Sequence, residues 1–477
     1  MRSCARIFIA TSAALLLIGW QLYASAHIHA FFGDFRAFYC AASALAHGAN
    51  PYAAAAIYPC ESSPMPFGLY QATPGVAVPA PLPGYALAAL LPLTLMPYVP
   101  ACAFWLVLVL FTFFFAARAL AQLLAVPFDR ALWTLAAGFA VISVPFGELG
   151  TVIVAALLWM AGAIRRDAWT QAAAAAAVAA ILPHVALPAL LGAFFFIPQM
   201  RARLFIAGIA LIALDVAGGG HGIALAYVRD VLPAHARSEI GSTAQYGLTW
   251  MLHALGAPDR LAIAGGEYSY AFMTLLGLIA GRAMMKRTGD RAYAILLPPA
   301  FAVFGGTFMH YTQIMIAIPA ALLIARHGSG RARAAACTAI LLLVVPWAWV
   351  LGQPVLVPVY AAVCGFVAAA LLRFSVSAAL RVSLCAALLS AVIVAAGAHF
   401  GSGLPAHAHG IAFQGGLAQS SWEAFVRSQR ASTGAVWWIA KAPTWLGLLA
   451  LTLSCAHVLV KKDLVTPVLV EQVPVTA

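Results

Sequence analysis

Apolar residues follow one another along this chain in long blocks, and short stretches between the blocks carry most of its charge. The blocks are about 15–25 residues long, the length that predicts membrane-spanning helices, and they lack the ten-residue alternation of an outer-membrane barrel. About fourteen spans are expected. The first lies within residues 1–26, and the later ones at 100–124, 131–146, 150–164, 168–182, 185–198, 203–217, 268–285, 292–307, 312–325, 335–351, 354–372, 382–399 and 444–460.

The composition supports this pattern. Hydrophobic residues make up 64% of the chain and charged residues 8%, and the mean hydropathy is +0.95. A soluble domain cannot cover its surface with so few charges, so the sequence predicts an all-α polytopic membrane protein. The net charge of +12 raises the question of nucleic acid. No block of clustered Lys and Arg with interleaved aromatic residues is present, and we therefore expect no nucleic-acid partner.

Most of the 26 basic residues fall in short loops that alternate with long loops poor in charge. By the positive-inside rule the basic loops are cytoplasmic, and the loops 27–99, 218–267 and 400–443 lie outside. This sorting holds only if 81–97, which contains four prolines, is a juxtamembrane or re-entrant segment instead of a span. We expect that segment to pack beside Asp34. The chain is then a multi-pass protein of the plasma (inner) membrane, with its active face outside.

The first apolar segment allows two interpretations, a cleaved signal peptide or an uncleaved span. We favour the span, because the chain behind it is embedded in the membrane. Two of the eight cysteines, Cys40 and Cys60, share the first external loop. They either form a disulfide in an oxidising compartment or remain free thiols, and the free thiols are the favoured expectation. Residues 1–330 are expected to form a membrane core, and 331–477 to add C-terminal helices with the external loop 400–443.

The segment "GDFRAFYCAASALAHGANPY", residues 33–52, places an acid and a base beside the membrane. Its apolar positions predict a helix that ends near Gly48 and Pro51. Asp34 is either the N-cap of this helix or a functional carboxylate. Two observations favour function: a charge near lipid is costly, and Arg36 in the first turn opposes the helix dipole. Asp34 would accept a proton and Arg36 would bind phosphate, unless Arg36 only reaches to the headgroups.

This segment resembles the first external loop of polyprenol-phosphate-dependent glycosyltransferases of the GT-C fold, most closely the alpha-mannosyltransferases of glycosyltransferase family 87. The shared pattern is an Asp-Phe, aromatic and small residues, and Gly-x-Asn-Pro-Tyr. The blocks "YALAALLPLTLMP", "VPFGELGTVIVAALLWMAGAIRR" and "FMHYTQIMIAIPAALL" resemble later family segments in order. The resemblance covers roughly residues 7–326. Two positions depart from the family pattern, with Glu148 in place of a Gln and His184 in place of a Lys.

The resemblance implies a GT-C-like bundle of about 12–14 transmembrane helices with a large first external loop. It further implies transfer of a sugar, most simply mannose, from a polyprenyl phosphate to a lipid-linked or envelope glycan acceptor, with inversion. The expected partners are this donor, the acceptor and membrane lipids, and no cofactor is implied. Such a reaction needs a base for the acceptor proton and cations for the departing phosphate.

Asp34 is the candidate catalytic base. Candidate substrate-binding residues are Arg36, Tyr39, Asn50, Tyr52, Glu148, His184, His310, Tyr311 and Gln313. Although they are far apart in sequence, the topology assigns them to one side of the membrane, so we expect them to converge. No closely spaced set of Asp, Glu and His suggests a metal site. Structural roles remain open for each residue, such as helix packing for His184 and a solvated loop charge for Glu148.

The alternative to a transferase is a polytopic transporter or lipid flippase of the envelope, and a non-catalytic assembly partner is a third class. Transporter sites lie near the bilayer midplane, whereas the polar residues here gather in outer loops. Asp215 is the one carboxylate expected within a span or at its end. Tyr246 and Trp250 are expected either to stack on a sugar or to join the interfacial aromatic belt. The loop 400–443 is expected to contain an interfacial amphipathic helix.

Overall fold

The computed structural model describes residues 2–27, 30–138, 143–348, 356–371, 374–399, 410–428 and 434–461. Within these ranges the chain is α-helical, without a β-strand and with only isolated bridges. The helices are α1 Arg2–His27, α2 Gly33–Ala46, α3 Ala54–Ser62, α4 Gly84–Leu90, α5 Tyr98–Leu124, α6 Phe128–Gly138, α7 Val144–Phe146, α8 Gly150–Arg165, α9 Trp169–Ala179, α10 Pro183–Phe196, α11 Arg201–Gly219, α12 His221–Ala226, α13 Leu232–Ser238, α14 Leu248–Ala254, α15 Asp259–Thr288, α16 Tyr293–Ala302, α17 Tyr311–Ile314, α18 Ala317–His327, α19 Gly330–Leu343, α20 Leu356–Leu371, α21 Val376–His399, α22 Ala418–Ser428 and α23 Ala435–Lys461.

Five stretches of helix within the described ranges are long and apolar enough to cross a membrane. They are Tyr98–Leu124, Pro198–Gly219, Asp259–Thr288, Val376–Ala396 and Ala435–Val460. Shorter apolar helices occupy Gly84–Leu95, Gly150–Arg165, Pro183–Phe196 and Tyr293–Ala302. The all-α class and the membrane-spanning helices agree with the sequence pattern, and the total of about fourteen spans stays a prediction.

Basic side chains gather where several long helices end. Arg165 and Arg326 both donate to the carbonyl of Leu123, at 2.5 and 3.2 Å, and Arg287 donates to the carbonyl of Leu459 at 2.6 Å. Arg165 also forms an ion pair with Asp290, which follows α15. The C-terminal ends of α5, α8, α15, α18 and α23 therefore meet at one end of the bundle, which we call the basic end. Loops assigned to the cytoplasm by their charge thus lie together in space.

The proline-rich segment 81–97 is not a straight span. Its helix α4 changes at Leu91–Leu95 into a 3₁₀ helix that ends before Met96. The segment packs against α2, where the Tyr39 hydroxyl donates to the carbonyl of Met96 at 2.8 Å. The segment therefore lies against α2, the helix that carries Asp34, while its packing beside the Asp34 side chain itself stays a prediction.

Cys40 and Cys60 form a disulfide, so the expectation of free thiols is wrong. The bond joins α2 to α3, and the Arg36 guanidinium on α2 contacts the carbonyl of Cys60. The sequence left this pairing open, because 20 positions separate the two cysteines and nothing local brings them together. Their Cα atoms lie 5.7 Å apart in the fold, within the usual span of a disulfide.

Breaking this disulfide is expected to lower the thermal stability of the protein. In the chain-entropy model, a loop of this size stabilises the fold by about 3 kcal/mol. A Cys40→Ser/Cys60→Ser double variant, or the wild type with a reductant, should therefore unfold several degrees lower in detergent. Cys385→Ser removes an exposed free thiol and serves as the control. An unchanged midpoint in the double variant would show that packing alone holds α2 on α3.

Candidate active site

Asp34 is the second residue of α2 and not its cap. The cap position belongs to Phe32, which adopts a left-handed conformation (φ 61°), and no side chain caps the helix. The N-cap alternative for Asp34 is therefore wrong. Asp34 is half-buried, and its carboxylate makes no hydrogen bond or ion pair with another residue in the described part of the chain. An unpaired carboxylate in this position is available to a ligand.

The start of α2 is fastened to the turn that carries Glu148. The amide of Phe32 donates to the carbonyl of Pro145 at 2.8 Å. Gly147 adopts a positive φ of 69°, and a Cβ atom there would lie 2.8 Å from atoms of the Phe32 and Phe35 side chains. Only glycine permits this close approach without strain. The packing at Gly147 therefore brings the α2 start and the Glu148 turn together.

Glu148 accepts a hydrogen bond from the Thr312 hydroxyl at 2.7 Å, and a longer one from the Ser143 hydroxyl at 3.4 Å. Thr312 follows His310 by two residues, so this bond links the Glu148 turn to the segment that carries His310. Three parts of the chain, around residues 34, 148 and 310, therefore meet.

The backbone before α17 is held in a short pairing with a second segment. His310 and Gln245 form an isolated antiparallel bridge, and the amide of Tyr246 donates to the carbonyl of Met309 at 2.7 Å. The amide of His310 donates to the Gln313 side chain at 3.1 Å. These bonds fix the backbone at His310, from which the ring extends.

Glu239 is the partner of His310. Its carboxylate lies 3.3 Å from His310 Nε2 and accepts a 2.6 Å hydrogen bond from the indole of Trp422. The Glu239 residue is 4% exposed. Trp422 belongs to α22, so the amphipathic helix expected in 400–443 packs onto this site in the fold. Residues 400–409 and 429–433 of that loop lie outside the described residues.

Burial and the contact between Glu239 and His310 have opposite effects on the pKa values of these two residues. Burial alone would raise the pKa of Glu239, but the hydrogen bond and charge of His310 outweigh it and lower the pKa to about 2. Burial would likewise lower the pKa of His310, yet the hydrogen bond and charge of Glu239, followed by the charges of Glu148 and Asp34, raise it. The contact therefore favours the charged forms of both partners, a Glu239 carboxylate facing a protonated His310 imidazole.

The pKa values of the other two carboxyl groups, Asp34 and Glu148, are raised, whereas that of Glu239 is lowered. Burial raises the pKa of Asp34, and the nearby charge of Glu148 raises it further, whereas the charge of His310 lowers it. Burial also raises the pKa of Glu148, against the hydrogen bond from Thr312 and the charge of His310. Two carboxyl groups beside one another do not readily ionise together, so Asp34 is a carboxylate with high proton affinity.

His184 joins this cluster through Gln313, whose side-chain nitrogen lies 3.0 Å from His184 Nε2. His235 was not singled out in the sequence. Its ring packs edge-on against Phe308 at 4.7 Å, and the ring of His184 packs edge-on against the same phenyl at 4.8 Å. We call Asp34, Glu148, Glu239, His310, His184, Gln313 and His235 the acid–histidine cluster.

Arg36 does not reach the cluster. It is 1% exposed, donates to the Ser63 hydroxyl at 2.6 Å, and stacks over the Tyr98 ring with its guanidinium carbon 4.1 Å from the ring centroid. Its charge lies near Glu61, which is itself fully buried and accepts the amide of Val78 at 2.8 Å. In this fold Arg36 stabilises the junction of α2 and α3.

Four further candidates lie in structural contacts. The Tyr39 hydroxyl donates to the carbonyl of Met96, as described above. The Tyr52 hydroxyl donates to the carbonyl of Leu82 at 2.8 Å, and the Asn50 side chain accepts a hydrogen bond from the Tyr52 amide at 3.0 Å. The Tyr311 hydroxyl donates to the carbonyl of Leu343 at 2.7 Å. The structure does not bring these four side chains to the acid–histidine cluster.

Tyr246 and Trp250 are buried, at 3% and 0% exposed, and take neither of their expected roles. Both pack on the buried ammonium of Lys441, which lies 3.6 Å from the Trp250 ring centroid and donates to the carbonyl of Gln245 at 2.6 Å. Lys441 thereby holds the segment that pairs with 309–310. Stacking on a sugar and anchoring in the membrane interface both need exposed rings, and the rings of Tyr246 and Trp250 are buried.

The sequence motifs did not indicate Glu239, His235 or Trp422. The local signal for Glu239 was weak, because it is one of four acids in the polar loop 218–267 and no motif surrounds it. Its partners stand 71 and 183 positions away, and no periodicity relates positions so distant. Among the described residues, no group of three His, Cys, Asp or Glu side chains is arranged to hold a metal ion.

Comparison with known proteins adds no relative. No family model matches this chain, and neither a curated protein nor a solved structure is significantly similar to it. The acid–histidine cluster and the sequence motifs are therefore the features that bear on function.

Proposed function

We propose that this protein is an integral membrane glycosyltransferase of the GT-C type. It would move a sugar, most simply mannose, from a polyprenyl phosphate to a lipid-linked or envelope glycan acceptor. The observation that carries the proposal is the meeting of Asp34, Glu148, Glu239 and His310, which come from four distant segments. This set supplies both kinds of group that the reaction needs, a base and a cation. The resemblance of 33–52 to the first loop of such enzymes supports it.

In the proposed reaction Asp34 takes the proton of the acceptor hydroxyl. The acceptor oxygen attacks the anomeric carbon from the face opposite the phosphate, forming the new glycosidic bond with inversion. The bond from that carbon to the phosphate oxygen breaks, and its electron pair leaves with the polyprenyl phosphate. Protonated His310 stabilises the negative charge that develops on the phosphate, and Glu239 keeps His310 protonated.

Glu148 has two roles in this proposal. It faces Asp34 and raises the proton affinity of that base, which favours uptake of the acceptor proton. Its second carboxylate oxygen, which has only the long contact with Ser143, can accept a sugar hydroxyl. His184 and Gln313 would bind donor or acceptor oxygens beside it.

The acid–histidine cluster would lie on the outer face of the inner membrane. The basic end gathers the loops that the positive-inside rule assigns to the cytoplasm. The Cys40–Cys60 disulfide belongs to α2 and α3, the region that carries Asp34, and structural disulfides persist in oxidising compartments. Both arguments support the same orientation.

Incubation of the purified protein with radiolabelled polyprenyl-phosphate mannose and a membrane lipid extract tests the function. We expect a new labelled lipid or glycan, and mass spectrometry of the product identifies the acceptor. Boiled protein is the control for spontaneous transfer. Absence of a labelled product across lipid and glycan acceptors, with a folded protein that binds the donor, would contradict the proposal.

The turnover should depend on pH as a bell-shaped curve. Asp34 acts as a base only when deprotonated, and burial with the charge of Glu148 raises its pKa to about 8. Turnover should therefore rise as the pH increases through this value, and fall again when His310 loses its proton. In Glu148→Gln the like charge is gone, so the acid limb should move to lower pH. A profile that is flat between about pH 6 and 10 would contradict the assignment of Asp34.

Asp215 is the observation that favours the alternative, a transporter or flippase. It lies on the apolar helix α11, is 7% exposed, and its Oδ1 atom has no hydrogen-bond partner within the described residues. A transporter that uses this carboxylate should lose transport in Asp215→Asn, whereas the transferase should keep its turnover. Flux of labelled lipid or solute into proteoliposomes, compared with sugar transfer by the same preparation, separates the two classes.

A further inference from the structure

A second polar site adjoins the acid–histidine cluster. A cavity of about 260 Å³ lies between the turn after α13, the helix α14 and the helix α22. The residues that give it chemistry are Arg237, Ser238, Gly241, His253, Glu423 and Arg427. All of them are distinct from the residues assigned to the reaction above.

Two adjacent stretches of chain serve both sites. Ser238 and Ile240 line the cavity, while Glu239 between them turns the other way and contacts His310 and Trp422. On α22, Trp422 contacts Glu239, and the next residue, Glu423, lines the cavity. Neighbouring residues of one chain are only about 3.8 Å apart at their Cα atoms. A molecule in the cavity is therefore separated from the acid–histidine cluster by the thickness of a single backbone segment.

Most charges around the cavity are paired. Arg427 contacts Glu423 and Asp259 at 2.9 and 3.0 Å, and His253 lies 3.1 Å from the second oxygen of Asp259. Arg237 is different, because it is exposed and its guanidinium has no hydrogen bond or ion pair within the described part of the chain. The cavity therefore offers one uncommitted guanidinium beside an anchored one.

We propose that this cavity binds an acidic sugar, one that carries a carboxylate or a phosphate. A guanidinium binds either oxyanion through two parallel hydrogen bonds, and the Ser238, His253 and Glu423 side chains are suited to sugar hydroxyls. The volume is below that of a drug-sized pocket and suits a single sugar unit. Binding of the acidic sugar does not depend on the proposed function. The further statement that this sugar is part of the acceptor rests on the proposed function.

The proposal is tested by calorimetric titration of the full-length protein in detergent with glucuronate, mannose 6-phosphate and neutral mannose. We expect the two anions to bind and mannose to bind at least about tenfold more weakly, because a charged hydrogen bond distinguishes them. Arg237→Gln should weaken anion binding by a similar factor, and added salt should weaken it in the wild type. The matched control is Arg229→Gln, which changes an exposed arginine outside the cavity.

Equal binding of mannose and the anions, or an unchanged anion affinity in Arg237→Gln, would overturn the inference. A preference for glucuronate identifies a carboxylate as the ligand group, and a preference for mannose 6-phosphate identifies a phosphate; both support the site. The two proposals fail separately. Anion binding without any sugar transfer would refute the transferase alone, and transfer without Arg237-dependent binding would refute this site alone.

Discussion

Replacing Asp34 by Asn is expected to lower the turnover of sugar transfer by about 10²–10⁴-fold, the contribution typical of a positioned general base. Asparagine has nearly the shape of aspartate, but its amide cannot take the acceptor proton. The Asp34 carboxylate makes no hydrogen bond within the described residues, so this change leaves no buried partner unsatisfied. The variant should therefore fold and still bind the donor lipid.

The measurement compares initial rates of transfer with donor affinity for the same preparations. Asp230→Asn is the matched control, since Asp230 is an exposed carboxylate near the end of a helical turn at Tyr227–Val231. It should transfer sugar at the wild-type rate. If Asp34→Asn also transferred at that rate, Asp34 would not be the base, and the transferase proposal would lose its central residue.

Glu239→Gln is expected to lower turnover by about 10–100-fold, by analogy with the loss of a carboxylate that orients a metal-binding histidine. Glutamine can still accept the indole N–H of Trp422, but it removes the negative charge that raises the pKa of His310. Less of His310 is then protonated near neutral pH. Glu239 does not touch the reacting atoms in this mechanism and is a positioning residue.

The pH profile distinguishes this role from packing alone. The alkaline limb of the bell-shaped curve should move to lower pH in Glu239→Gln, because His310 loses its proton earlier. Glu267→Gln, which changes an exposed carboxylate on α15, should leave both limbs in place. A lower turnover with an unshifted alkaline limb would mean that Glu239 only supports the fold around α22.

Part of the candidate site was visible in the sequence. Asp34, Glu148, His184, His310 and Gln313 were chosen from motifs and from their side of the membrane, and the fold brings these side chains into one cluster. Their convergence fits the sorting by charge, because a span places its two ends on opposite faces and the charge of the loops then assigns residues to one face.

For Arg36 and Tyr39, the side of the membrane was not enough to predict whether the side chain faces the cluster. Arg36 follows Asp34 by two positions on a helix, and residues at that spacing do not share a face. It therefore points into the α2–α3 junction while Asp34 points to the cluster. Tyr39 on the same helix packs against Met96. The motif located the helix, but its rotation within the bundle decided which side chain faced the site.

By itself the sequence determined that this protein is all-α, that it contains apolar helices able to cross a membrane, and that its basic loops belong at one end. These properties are sums over neighbouring residues, since hydropathy and charge add up along a segment whatever it packs against. Only the tertiary structure decided the Cys40–Cys60 disulfide, the Glu239–His310 pair and the cavity beside Arg237. Each depends on which faces of distant segments meet, and that is set by packing among many helices, which local patterns do not encode.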